Sequence, residues 1–284
     1  LVGNAKTFAM LPQFFDIAPS VEKLTVKEGD TLSLGSHELT FVMAPMVHWP
    51  EVMVTYDEKD KILFSADAFG TFGALAGNIF NDEIPFETVW KYGGPVQTLL
   101  KKAANLDIKT ICPLHGPVLT ENLDYYINLY NIWSSYQPET DGVFIACASI
   151  YGNTKNAALK LKEILEAKGV KVAFSDLTRD DVAKAVEDAF KYGATVLAAS
   201  SYDGGVFPPM ETFISHLKSK AFQNRKIGMI ENGSWAPCAA RTMKASLEGM
   251  KNITVCENTV TVKSAFKDAD IPALEALADE LLKG

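Results

Sequence analysis

The chain is poor in the residues that build disulfide frameworks, membrane anchors and nucleic-acid surfaces. Its four cysteines, Cys112, Cys147, Cys238 and Cys256, are scattered, with no C-x-x-C pair and no metal spacing. Reduced thiols in a cytoplasmic protein are the simplest account. No apolar stretch is long enough to span a bilayer, and the N-terminus lacks the basic-then-apolar layout of a signal peptide. There is no Lys/Arg run, and the formal charge of −8 argues against a nucleic-acid partner. No Gly-Lys-Ser/Thr follows a glycine-rich turn, so a Walker loop is excluded. Histidine is scarce too, with four in 284 residues. The first residue is Leu1, not Met, and the chain reads as a piece of a longer protein.

What is present is globular, with 48% apolar and 22% charged residues, and the length suits about two domains. The pattern divides near residue 138. Within a first domain of 1–137, residues 1–120 are rich in short strand patterns such as Leu39–Met43 and Met53–Tyr56. The turn Asp57-Glu58-Lys59-Asp60 before Lys61–Ser65 predicts a hairpin. Apolar spacing predicts a helix over Glu121–Tyr136, and 137–142 reads as a linker. From 141 to 284 five strand patterns alternate with five helix patterns, from Val143–Ala148 to Ile271–Leu282. That alternation predicts an α/β, doubly wound parallel sheet, in which ligands sit off the carboxyl ends of the strands.

Three loops fall at such ends. Ser149-Ile150-Tyr151-Gly152-Asn153-Thr154 joins a strand pattern to a helix pattern. Helix N-terminal amides, with Ser and Thr hydroxyls, suit a phosphate, and five positions fit the phosphate loop of flavodoxins. The second loop is Ser200-Ser201-Tyr202-Asp203-Gly204-Gly205. The third is Asn232-Gly233-Ser234-Trp235. Tyr202 and Trp235 offer flat rings to an aromatic ligand, and the set predicts an FMN site. Trp235 packed on its own domain or at a subunit contact is the competing reading.

The first half holds a second constellation. His48 follows a strand pattern, Asp67 closes Ile62–Ser65, and His115 closes Thr110–Leu114. Imidazole plus carboxylate suits iron, zinc or manganese. A single buried His or Asp is more often a hydrogen-bonded structural residue, but three in one context shift that balance. His37 reads as a surface residue within a strand, and His216 as solvated on a helix.

The runs Met46-Val47-His48-Trp49-Pro50, Ile62–Gly70, Cys112–Pro117 and Ser149–Thr154, in this order and separation, resemble the flavodiiron proteins, or A-type flavoproteins. The resemblance covers essentially the whole chain. It implies a partial αββα metallo-β-lactamase-like sandwich followed by a flavodoxin-like domain, with FMN and two iron ions as cofactors. His48 and His115 would be terminal iron ligands and Asp67 the carboxylate bridging the irons. The family's upstream His-x-Glu-x-Asp motif is absent, so the chain would supply an incomplete iron site and reads as a fragment. Uncovered strand edges and apolar faces are expected in its first half. The second and third FMN loops depart from the family's usual sequences.

The resemblance implies an oxidoreductase passing electrons from FMN to a diiron centre that reduces dioxygen to water, nitric oxide to nitrous oxide, or both. It also implies a head-to-tail homodimer and a rubredoxin-like electron donor. Two alternatives stand beside it: an FMN-binding electron-carrier module with an inert, metal-free first domain, and a zinc hydrolase on the same fold.

Overall fold

The computed structural model describes residues 1–70 and 91–283. They fall into two compact units, Leu1–Ser135 and Tyr136–Gly284. No helix among them is long and apolar enough to cross a membrane.

In the first unit, β1 (Val2–Gly3) pairs in parallel with β2 (Leu24–Thr25). Between them Asn4 caps α1 (Ala5–Met10), its side-chain oxygen accepting from the amides of Lys6 and Thr7. A five-stranded sheet follows in the order β3 (Thr31–Ser33), β4 (Glu38–Met43), β5 (Met53–Asp57), β6 (Ile62–Phe64), β7 (Thr110–Cys112). The Asp57–Asp60 turn closes an antiparallel β5–β6 hairpin, whereas β6 and β7 are parallel. Alternate side chains of these strands, among them Phe41, Val54, Tyr56, Leu63 and Ile111, are buried, as half-buried sheet requires. Two helices, α2 (Gly93–Ala103) and α3 (Leu123–Ser134), bury Val96, Leu99, Leu129, Tyr130 and Trp133. The α3 helix is shorter than the apolar spacing suggests, because Asn122 before it is left-handed.

His37 is not the free surface residue its strand context suggests. Its Nδ1 lies 2.7 Å from the Oδ2 of buried Asp57. Apolar groups are also left in the open, as expected. Phe14, Phe15 and Trp49 form an exposed aromatic patch, and Leu114 is 76% exposed.

The second unit is a doubly wound parallel sheet. Its strands are β8 (Thr140–Ala148), β9 (Val172–Asp176), β10 (Tyr192–Tyr202), β12 (Arg225–Asn232) and β13 (Ile253–Val262), in the order β13-β12-β10-β8-β9. A short β11 (Gly205–Val206) folds back on β10. The helices are α4 (Asn153–Ala167), α5 (Val182–Lys191), α6 (Pro208–Ser219), α7 (Ala239–Ser246) and α8 (Ile271–Leu282). Val143, Ile145 and Cys147 of β8 face α4 and α8, packing with Leu161, Leu165, Leu274 and Leu277. Phe144 points the other way, 6.2 Å from the ring of Phe213 on α6. That parity leaves the central strands buried on both faces, which is why they read as unbroken apolar runs.

Three boundaries differ from the sequence reading. Residues 140–142 belong to β8 rather than to a linker, with Gly142 in a gap where a Cβ would lie 2.4 Å from the Lys171 carbonyl. The α7 helix stops at Ser246 instead of running to Met250. The segment 200–205 is a tight hairpin, not an open loop. Ser201 pairs with Val206 and Tyr202 with Gly205. Asp203 and Gly204 both take positive φ, +47° and +75°, as a two-residue hairpin of this hand demands.

Candidate functional site

In the sheet order, β8, β10 and β12 are neighbours, so the loops after them meet although they lie far apart in sequence. They enclose a cavity of about 370 Å³, within the range of small-cofactor sites. Of the residues expected there, Ser149, Tyr151, Asn153, Thr154, Ser200, Ser201, Tyr202, Asp203, Gly204, Asn232, Gly233, Ser234 and Trp235 line it. Gly152 and Gly205 do not. Gly152 precedes α4 with φ +87°, turning the chain so that the first-turn amides face the cavity. Gly205 sits in β11, and its carbonyl accepts from the Cys238 thiol.

The hydroxyls divide into two groups. Thr154 Oγ1 and Ser200 Oγ lie 3.0 Å apart at the α4 end, and Ser149 Oγ accepts from the Gly152 amide. These stand where an anion meets a helix N-terminus. The others are occupied by the protein itself. Ser201 Oγ accepts from the amides of Cys238 and Ala239, and Glu231 accepts from that of Ala240, so two side chains cap α7. The Asn232 amide group donates to the Ser264 carbonyl and accepts from the Ser264 amide, while the Ser234 and Ser264 hydroxyls lie 2.6 Å apart. The third loop is thereby bolted to the chain after β13. Gly233 has room for no Cβ, which would lie 2.8 Å from the Pro237 backbone. On this fixed base Trp235 stands 92% exposed, and Tyr151 of the first loop is 90% exposed. Trp235 therefore does not pack on its own unit. Phosphate donors at one end and wide aromatic faces at the other fit a flat ring carrying a phosphomonoester.

In the first unit the strand ends after β6 and β7 and the loop after β4 converge. Asp67 sits between two imidazoles. His48 Nε2 is 3.5 Å from one carboxylate oxygen and His115 Nε2 is 3.5 Å from the other. No choice of one donor atom from each brings all three within 4.8 Å of one another, so they do not converge on one point. That arrangement fits a carboxylate shared by two metal ions better than a single ion. The turn carrying Asp67 is held from within. Ser65 Oγ donates to the Ala68 carbonyl at 2.6 Å, and the Gly70 amide donates to the Asp67 carbonyl at 3.1 Å. A Cβ on Gly70 would lie 2.4 Å from His115 Cε1, so glycine there admits the ring. Tyr92 lies 6.2 Å from the His48 ring, roughly parallel to it. A small cavity of about 20 Å³ is bounded by His48, Asp67, Tyr92 and Tyr130.

A model of the ODP family of beta lactamases matches residues 4–116. An uncharacterized protein of Methanocaldococcus jannaschii is 28% identical over 279 residues, covering 94% of this chain and 70% of that protein. An anaerobic nitric oxide reductase flavorubredoxin of Pectobacterium carotovorum is 28% identical over 229 residues, covering 74% of this chain and 45% of that protein. The fold is shared with two solved structures. The rubredoxin oxygen:oxidoreductase of Desulfovibrio gigas superposes with a TM-score of 0.83 at 21% identity over 99% of this chain and 73% of that one. The flavodiiron protein of Giardia intestinalis does so with 0.81 at 22% identity over 98% and 72%.

The chain is similar to flavodiiron proteins in sequence and shares their fold.

It spans about half the length of the flavorubredoxins it matches. Several neighbours of the candidate sites were not visible in the sequence. Ser264, after β13, holds Asn232 of the third loop, Glu231 near the end of β12 caps α7, and Cys238 lines the cavity. Tyr130 reaches the Asp67 turn from α3. Each acts across the fold, so no local pattern marks it. Gly70 alone carried a signal, as the glycine ending the Asp67 run.

Proposed function

We propose that the complete flavodiiron protein is an oxidoreductase in which FMN at the 149–154, 200–205 and 232–235 loops passes electrons to two irons about Asp67, reducing dioxygen or nitric oxide. Bound FMN supplies one-electron carriage, and bound iron supplies a reducing centre for a small oxygen-containing molecule. The observation that carries the reading is Asp67 held with one oxygen opposite each of His48 and His115. In this role Thr154, Ser200 and the first-turn amides of α4 hold the phosphate. Tyr151, Tyr202 and Trp235 flank the ring and exclude water from it. Asp67, with His48 and His115 beside its two oxygens, would hold the metal. Three protein donors leave two irons under-coordinated, so the reading requires further ligands from outside the described residues.

The proposed working form is a head-to-tail homodimer, with a rubredoxin-like protein as electron donor, in the cytoplasm. The rings of Tyr151 and Trp235 are the surface a second chain would cover.

The test is metal and flavin analysis of the full-length protein, followed by mixing its reduced form with dioxygen and with nitric oxide. FMN and two irons per chain, with rapid flavin reoxidation by either gas, are expected. FMN without metal would instead favour an electron-carrier module, and zinc would favour a hydrolase. The Asp67→Ala protein should lose iron and turnover and keep its FMN. Full iron and full turnover in that variant would sink the assignment.

A further inference from the structure

Tyr130 lies on α3, far in sequence from the residues it touches. Its side chain is 4% exposed, and its ring is 4.3 Å from that of Phe69. Phenylalanine would fill the same space. A phenol hydroxyl in such a place costs free energy unless it is bonded. Tyr130 Oη accepts from the Phe69 amide at 2.6 Å. Phe69 has φ +64°, and its amide has no backbone acceptor among the described residues. The hydroxyl thus meets a buried N–H that the turn itself does not satisfy. Tyr130 and Asp67 also border the same small cavity. Burial, and behind it the Asp67 charge, push the phenol well above its ordinary range, so Tyr130 stays protonated beside the carboxylate.

We propose that Tyr130 is the positioning residue of Asp67: its hydroxyl pins the backbone two residues beyond the carboxylate and so keeps one carboxylate oxygen opposite each imidazole. The turn's other ties among the described residues all lie on its near side or within it: Ser65 Oγ and the Ser65 carbonyl hold Ala68, the Leu114 amide holds the Ala66 carbonyl, and the Gly70 amide holds the Asp67 carbonyl. Without the phenol, Phe69 loses its side-chain bond and the 67–70 stretch can pivot about the anchored Ser65 and Ala66. A pivot that brings Asp67 toward one imidazole takes it from the other. The inference rests on the metal reading for its purpose, but the geometry it invokes belongs to the chain itself.

Tyr130→Phe removes only the hydroxyl. The first readout needs no metal. The ring NMR signals of His48 and His115 are compared in the wild type, Tyr130→Phe and Asp67→Asn chains. Both signals should move in Tyr130→Phe toward their Asp67→Asn positions, and Phe69 amide exchange should accelerate by roughly tenfold or more. Ser65→Ala, which loosens the same turn from its other side, should move both signals in the same direction and stands in if Tyr130→Phe does not fold. Unchanged imidazole signals, with faster Phe69 exchange alone, would reduce Tyr130 to a structural peg and overturn the proposal. The second readout is Mn(II) titration of the full-length protein, in which loss of the hydroxyl should weaken binding about 10- to 100-fold, as for other groups that orient metal ligands. Equal affinity in both chains would also overturn it. A wild type that takes up no Mn(II) would count against the metal reading, while the imidazole signals still decide the role of Tyr130.

Discussion

Single atoms decide several features of both sites. Gly70 is one, because its missing side chain is the space that the His115 ring occupies. Gly70→Ala should displace that ring from Asp67 and cost about 1–3 kcal/mol, the usual penalty for overfilling a packed site. Urea unfolding of the first unit, with His115 NMR, measures both effects. Asp176 is another. It ends β9 and accepts from Lys155 Nζ at 2.9 Å and from Thr178. Burial alone would raise its carboxyl, but these bonds outweigh that and hold it below the ordinary carboxylate value. A group with a depressed folded pKa stabilises at neutral pH, and the contribution disappears as pH falls through that pKa. Asp176→Asn should therefore lower Tm at pH 7 and lower it less at pH 3. At this scale the sequence pointed to the candidate residues and was poor about their supports. His48, Asp67 and His115 announce themselves by ending apolar strands. Tyr130 looks like one more aromatic on a helix face, since its partner is set by α3 packing on the Asp67 turn.

At the scale of elements, the alternating pattern after residue 141 was legible because central parallel strands must be apolar on both faces. Their ends were less so. The strand β10 continues through Ser200, Ser201 and Tyr202, whose polar character disguised a strand as a loop. The cause is β11, which satisfies those last residues by folding back on them. The same strand end serves α7. Ser201 and Glu231 cap that helix together, and neither is its sequence neighbour, so no capping pattern precedes Ala239. Ser201→Ala should destabilise the second unit by about 1 kcal/mol, as loss of a helix cap does. Because Ser201 Oγ is engaged with α7, the substitution should weaken FMN binding less than Thr154→Val does. Flavin fluorescence titration of the two variants gives the order.

At the scale of the molecule, the two units differ: the second holds all three loops of its cavity, whereas the described residues of the first bring together only His48, Asp67 and His115. The flavodoxin-like unit has its sheet, both helical layers and all three loops within Tyr136–Gly284. Expressed alone, that segment should fold cooperatively and turn yellow with FMN, quenching the flavin's fluorescence. A folded but colourless product would remove the flavin reading from the whole family assignment of this half. The first unit should behave differently, since Phe14, Phe15, Trp49 and Leu114 remain exposed. Expressed as 1–135, it should be prone to self-association, which light scattering would register.

The parallel sheet gives the second unit two unlike ends. All three cavity loops leave the carboxyl ends of β8, β10 and β12, whereas the turns at 168–171 and 249–252 lie at the amino ends. A linker joined at Asn252, in a left-handed turn open to solvent, would hold the protein with its cavity facing away from the support. On an electrode, that attachment would present the flavin mouth to solution and leave the amino end of the sheet against the metal. Attachment beside Trp235 would reverse the molecule and bury the mouth. Fixed in these two ways, the same chain would give opposite answers about which side electrons enter.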